Sequence, residues 1–144
     1  MCEKTLLMIK PEGTDYIEDI VSEIRCSGLK ISEGYDWICA EGFLKSLYKD
    51  QSGGFWEVNK EYLVGKRCVL FVVSGEQAAE RLFSLAGTHY SPEKCERDSI
   101  RYRFGKRELY IGKNGRELYL NAVHRSSPEN AEYEVELFHK WFKI

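Results

Sequence analysis

The segment Arg67–Ser74, RCVLFVVS, constrains this chain more than any other stretch. It is an apolar run with three valines, far too short to cross a membrane and rich in residues that favour extended backbone. It therefore predicts a strand. Thr5–Ile9 is a second short apolar run, closed by Lys10-Pro11-Glu12-Gly13, and reads as a buried strand ended by a proline that cannot donate to a ladder. Between these two, Ile17, Ile20, Val21 and Ile24 recur at helical spacing from Asp15 to Cys26, with Gly28 as a C-cap. Leu29–Ala40 predicts another strand. Glu41–Asp50 and Phe55–Leu63 predict two short helices separated by Ser52-Gly53-Gly54, and Glu76–Leu85 a further helix that stops at Gly87.

The carboxyl-terminal third has a different texture. Thr88–Ser99 is polar and non-periodic, which predicts a long loop of the kind that often carries function. RELYI at 107–111 and RELYL at 116–120 flank GKNG, and Asn114-Gly115 is a strong hairpin-turn signal. Tyr102–Val123 is thus expected to contain a β-hairpin whose second arm leads directly to His124. Ser127-Pro128-Glu129 predicts a helix start, with serine as N-cap, and that helix should run to about Trp141. Strands alternating with helices in this order indicate an α+β chain. A ferredoxin-like βαββαβ sandwich fits, with a four-stranded antiparallel sheet, helices packed on one face and an extra β-hairpin. A length of 144 residues favours one domain over 1–144.

Composition narrows the partners. Lysine and arginine number 21 against 23 acids, so nucleic acid is not the expected main partner. The five cysteines are odd in number and form no CxxC pair, which argues against a zinc ribbon or redox pair and for reduced, mostly buried thiols. Glu3 and Lys4 directly precede the first apolar run, so no signal peptide is read, and no apolar stretch approaches the ~18 residues of a membrane span. A cytoplasmic protein is expected.

The motifs for several chemistries are absent: GxxxxGK[ST], GxGxxG after a strand, HExxH and a serine nucleophile elbow. The histidines are His89, His124 and His139. His124 stands at a strand end before Ser126 and a capped helix carrying Glu134. A carboxylate in that helix could reach back to the imidazole, fix its tautomer and raise its nucleophilicity. A histidine hydrogen-bonded structurally at a strand end would satisfy the same segment, and the segment alone leaves both readings open.

Three blocks taken together resemble the nucleoside diphosphate kinase family: TLLMIKPEG near the amino end, SIRYRFG at 99–105, and NAVHRSSPENAEYEVELF near the carboxyl end. The resemblance covers nearly the whole chain, with the blocks in the family's order. It implies a ping-pong enzyme that moves the γ-phosphate of ATP or another nucleoside triphosphate to a nucleoside diphosphate, with Mg²⁺ bridging the phosphates. In that reading His124 is the phosphorylated nucleophile and Glu134 holds its other ring nitrogen. Lys10 and Asn121 match the residues that contact the ribose hydroxyls, with Lys10 also near the phosphate. Tyr48 falls where the family keeps a tyrosine beside the histidine. Phe55 matches the aromatic on which the base stacks, Arg101 a phosphate-binding arginine, and Ser126 the serine after the histidine. Either Thr88 or His89 aligns with a nucleotide-binding threonine of the loop. No metal ligand is implied beyond the nucleotide's own phosphates.

The departures from the family pattern are as specific as the matches. Arg125-Ser126-Ser127 stands where the family has glycine or alanine, serine and aspartate. A family arginine upstream of GTHYSP aligns with Phe83, and Arg81 would face elsewhere on a regular helix. These changes keep alive an alternative, a kinase-like nucleotide-binding or interaction module with weak or no phosphotransfer. An RNA-binding ferredoxin-like domain finds little support in the charge or the RELY arms. The chain ends soon after its last helix, where longer relatives have a tail used in subunit contacts. A homo-oligomer is expected, with a hexamer not assumed. Arg101 and Asn121 are 20 residues apart, longer than the family interval by about the hairpin. Deletion of residues 106–120 is expected to change nucleotide kinetics or oligomer size, measured by steady-state assay and light scattering; unchanged values for both would overturn a role at the site or an interface.

Overall fold

A computed structural model describes residues 2–51 and 53–142; Ser52 of the expected Ser-Gly-Gly linker and the tail residues Lys143 and Ile144 lie outside the described residues. The strands are β1 (Glu3–Ile9), β2 (Lys30–Ile38), β3 (Arg67–Gly75), β4 (Leu109–Ile111), β5 (Glu117–Tyr119) and β6 (Val123–Arg125). The helices are α1 (Ile17–Cys26), α2 (Glu41–Leu47), α3 (Gly54–Leu63), α4 (Ala78–Ala86), α5 (Ile100–Phe104) and α6 (Ala131–Trp141). Four strands form one sheet in the order β2-β3-β1-β6, and β4 with β5 form a separate two-stranded ribbon. All pairings are antiparallel. This is the ferredoxin-like α+β arrangement, with the hairpin added.

The two apolar runs that open the sequence argument are the central strands. Leu6 to Ile9 of β1 and Cys68, Leu70, Val72 and Val73 of β3 are buried. Successive strand residues point to opposite faces, so strands buried at every position need cover on both sides. The structure supplies it. Leu6, Met8, Leu70 and Val72 pack with α2, α3 and α6 through Phe43, Leu44, Leu63 and Phe138. Leu7, Ile9, Val69 and Val73 pack with α1, α4 and α5 through Ile20, Ile24, Leu82 and Ile100. Helices therefore cover both faces, which corrects the one-face expectation; the continuous apolar character of β1 and β3, rather than an alternation, is its cause.

Four local expectations also change. The hairpin's second arm does not lead directly to His124. It ends at Tyr119, and after a bend at Leu120–Ala122 the chain joins the main sheet as β6. The residues after the polar loop, Ile100–Phe104, form α5, capped by Ser99 Oγ accepting from Tyr102 N. Ser127 does not cap the last helix: Pro128–Asn130 is a 3₁₀ turn, and α6 follows with Asn130 at its N-cap. Likewise the turn Pro11–Tyr16 is 3₁₀, and α1 begins at Ile17 rather than Asp15.

The bend before β6 is held from the amino-terminal side. Ala122 adopts φ +72°, the left-handed region that a residue with a Cβ disfavours. Val123 N donates across it to Asn121 O at 2.8 Å, closing a γ-turn. Lys10 N donates to Ala122 O at 2.8 Å, and Ala122 N donates to Glu12 Oε2 at 3.1 Å. Gly13 completes the clamp, because a Cβ there would lie 2.6 Å from the Ala122 carbonyl oxygen. Backbone cannot yield as a side-chain tip can. Gly13→Ala is accordingly expected to destabilise the protein by about 1–3 kcal/mol, read as a lowered midpoint in urea unfolding; an unchanged midpoint would show that the clamp is slack.

Candidate active site

β6 is the outer strand beside β1, with Met8 opposite His124 and Leu7 opposite Arg125. It therefore lies along one sheet edge, and α6 reaches it through the contact of Glu134 with His124. His124 Nε2 lies 2.9 Å from Glu134 Oε1. Ser126 Oγ donates to the same carboxylate oxygen at 2.7 Å. Ser126 is itself tied to β1 by Leu6 N, which donates to its Oγ at 3.3 Å. The Tyr48 ring meets the imidazole edge-on, with centroids 5.1 Å apart. The His124 side chain keeps 16% of its surface exposed, against 5% for Glu134, so the ring is reachable while its carboxylate partner is not.

Burial alone would raise the Glu134 pKa, but the His124 charge and the hydrogen bonds from His124 and Ser126 outweigh it and hold the carboxyl below the usual carboxylate range. Glu134 therefore stays an acceptor at neutral pH. An acceptor on Nε2 fixes a proton there and leaves the Nδ1 lone pair free, since no described residue bonds to it. Burial pushes the Tyr48 phenol well above its ordinary value, with the charge of Glu134 adding to it, so Tyr48 remains a neutral O–H.

A second cluster adjoins the first. Lys10 Nζ donates to Asn121 Oδ1 at 3.2 Å and Tyr119 O at 3.3 Å, and lies 3.4 Å from Glu12 Oε2. Asn121 Nδ2 donates to Tyr90 O, linking this cluster to the polar loop. Arg101, 3% exposed, donates from Nε and an Nη to Val123 O and from its other Nη to His89 O. Burial, with Arg125 as a second and repelling cation, pushes the Arg101 pKa down to about 9. It is still cationic at neutral pH, at a position one residue before the nucleophile candidate.

Most of the expected residues converge. His124, Glu134, Ser126 and Tyr48 form one contact group, Lys10 and Asn121 another, and Arg101 is bound to the backbone between Asn121 and His124. Two stand apart. Phe55 is exposed on α3, with the Arg116 guanidinium of the hairpin 4.8 Å above its ring. Thr88 is exposed and donates to Glu96 at 3.0 Å, while His89, the other candidate at that point, presents its carbonyl to Arg101. Sequence reasoning missed Glu12, which takes Ala122 N and the Tyr62 hydroxyl, the latter at 3.0 Å, and neighbours Lys10. The signal for it was its place in Lys-Pro-Glu-Gly, where the fixed turn aims it inward.

The fold places the chain among α+β proteins of ferredoxin-like topology with a carboxylate-held histidine at the sheet edge. The family model described as nucleoside diphosphate kinase matches residues 3–144. The nucleoside diphosphate kinase of Corynebacterium jeikeium (strain K411) is 31% identical, over 99% of this chain and 98% of that one. That of Thermobifida fusca (strain YX) is 32% identical, over 94% and 96%. Among solved structures, a transition state mimic of the Borrelia burgdorferi nucleoside-diphosphate kinase with bound vanadate and ADP superposes with a TM-score of 0.84 at 28% identity, covering 99% of this chain and 88% of that one. The chain belongs to the nucleoside diphosphate kinase family.

The linkage of Glu134 to stability has a definite sign. Its folded pKa lies below the usual glutamate value of 4.5, so its contribution is present above that value and is lost as pH falls through the folded pKa. Glu134→Gln should therefore cost about 1–3 kcal/mol at pH 7, with the gap to wild type closing below pH 4.5. Thermal melts from pH 7 to pH 3 check this, and a gap that does not vary with pH would contradict it.

Proposed function

We propose that this protein transfers the γ-phosphate of a nucleoside triphosphate to a nucleoside diphosphate in two displacements through a phosphohistidine on His124. The observation that carries the reading is the Glu134 carboxylate on Nε2, which leaves Nδ1 as the nucleophile. In the first displacement the Nδ1 lone pair attacks the γ-phosphorus, the bond to the bridging oxygen breaks, and the nucleoside diphosphate leaves with that electron pair. In the second, a terminal phosphate oxygen of a new nucleoside diphosphate attacks the same phosphorus and His124 departs unchanged. Glu134 stabilises the charge that the ring gains on phosphorylation, and Ser126 keeps that carboxylate in line.

The remaining roles follow the charges and the family match. Lys10 and Asn121 would take the ribose hydroxyls, Lys10 near the phosphates as well, and Arg101 the phosphates. Tyr48 walls the imidazole with a neutral hydroxyl. Phe55 would stack on the base, a contact that tolerates every base and suits broad nucleotide use; Thr88 would border the phosphate side of the loop. Among the described residues no group of three His, Cys, Asp or Glu side chains is placed to hold a metal ion. Mg²⁺ would arrive with the triphosphate, held on phosphate oxygens and water. No described helix is long and apolar enough to cross a membrane. A single kinase domain over 1–144, a cytoplasmic location and a homo-oligomeric assembly complete the proposal.

Incubation with γ-labelled ATP and Mg²⁺ is expected to give an acid-labile phosphoenzyme that disappears in His124→Ala and discharges onto an added nucleoside diphosphate. Absence of any labelled protein at saturating ATP would overturn the reading and favour a module that binds nucleotide without transferring phosphate.

A further inference from the structure

Arg125 follows the nucleophile on β6 and leaves the strand on the opposite side, toward α4. Its guanidinium lies over the Phe83 ring, with Cζ 4.1 Å from the centroid. The two positions that depart most from the family pattern are therefore in contact with each other. Stacking of this kind holds a guanidinium flat and directs its N–H groups outward from the ring edge. Arg125 Nε is nevertheless buried without a hydrogen-bond partner among the described residues.

A dry, unpaired guanidinium N–H is costly unless something completes it. Protein anions do not. Among the described residues no carboxylate bonds to it: Glu134, whose charge is felt at Arg125, is held through Oε1 by His124 and Ser126. Arg101 adds to the imbalance, because it is near enough for the two cations to repel. Two guanidinium groups, one bonded to the carbonyl of Val123 and one carried by Arg125, thus meet β6 at the residues on either side of His124, with too few acceptors between them. The missing partner has the chemistry of a phosphate: multiply charged, rich in acceptor oxygens and matched to a planar fork.

We propose that Arg125, splayed on Phe83, is a phosphate-binding residue of the transfer site, contacting the phosphoryl group that passes to and from His124. Phe83 is its platform, supplying the surface that orients the fork where a direct cation from α4 is lacking. This assignment rests on the phosphohistidine reading above. It turns the bulk beside the nucleophile from an obstruction into part of the catalytic charge.

The test is single-turnover labelling of His124 by γ-labelled ATP in variants of the full chain, with thermal melts alongside. Arg125→Met keeps the stem against Phe83 and removes the cation; it is expected to lose roughly 100-fold or more in the rate of phosphoenzyme formation, with a melting temperature near wild type. Arg125→Lys, which retains charge without the fork, should recover part of that loss. Phosphorylation of Arg125→Met at the wild-type rate would overturn the proposal. Should Arg125→Met fail to fold, the double exchange F83R/R125G carries the question: it moves the guanidinium across the contact and is expected to label within about tenfold of wild type, whereas a folded double variant slowed roughly 100-fold would overturn the assignment. Failure of the wild type itself to take label is the distinct result that removes the underlying phosphohistidine reading.

Discussion

The site depends on one awkward residue. Ala122 sits in a left-handed γ-turn that its Cβ disfavours, and it stays there because Lys10 N takes its carbonyl and Glu12 takes its N–H. Those contacts reverse the chain sharply enough for β6 to lie beside β1 in register. With β6 in place, Met8 faces His124 and Leu6 receives Ser126, so the nucleophile's strand and its neighbour are positioned by the same segment that supplies Lys10. The strain is local, on the order of 1–2 kcal/mol. What it positions is not local, since the two sides of the clamp are more than a hundred residues apart in sequence.

Around that clamp the charges are arranged with an imbalance. Glu134 and Glu12 are buried carboxylates with protein partners: the first holds His124 and Ser126 on Oε1, the second Lys10, Tyr62 and Ala122 N. The cations are different. Arg101 spends three donors on two backbone carbonyls, and Arg125 rests on an aromatic face. A guanidinium has five N–H donors, so Arg101 retains capacity beyond its structural bonds. The acids are thus internally satisfied and the cations are not, which is the polarity expected of a pocket for an anionic substrate.

Much of this was legible in the chain. A proline after a short apolar run, and a histidine before a helix carrying acids, pointed to Lys10, His124 and Glu134, and the structure joins them through β1, β6 and α6. The fold class followed from the alternation of elements, whereas the strand order β2-β3-β1-β6 is set by long-range pairing that the alternation does not specify. What was not legible has common physical causes. Glu12 reads as one more solvated acid until the turn directs it at Ala122. Arg125 and Phe83 each read as a flaw, because an i-to-j stacking contact between β6 and α4 has no local signature. The helix at Ile100–Phe104 is a single short turn whose stability comes from packing Ile100 and Phe104 against the sheet, so propensity could not reveal it. The double-sided cover of the sheet was present in the consecutive apolar residues of β1 and β3, Leu6–Ile9 and Cys68–Val73, a pattern easily mistaken for simple hydrophobicity.

The sheet order carries one further implication, for how such a chain is made. β1 and β3 can pair once about half of the chain exists, and β2 can join them from within the same span. The strand bearing His124 is the last of the described strands, and it pairs with β1, the first of them. Contacts of that sequence separation form late and slowly in folding, after the entropy of closing a long loop has been met. A growing polypeptide on the ribosome can therefore hold most of its core while still lacking His124. The proposed site forms only when β6 pairs with β1.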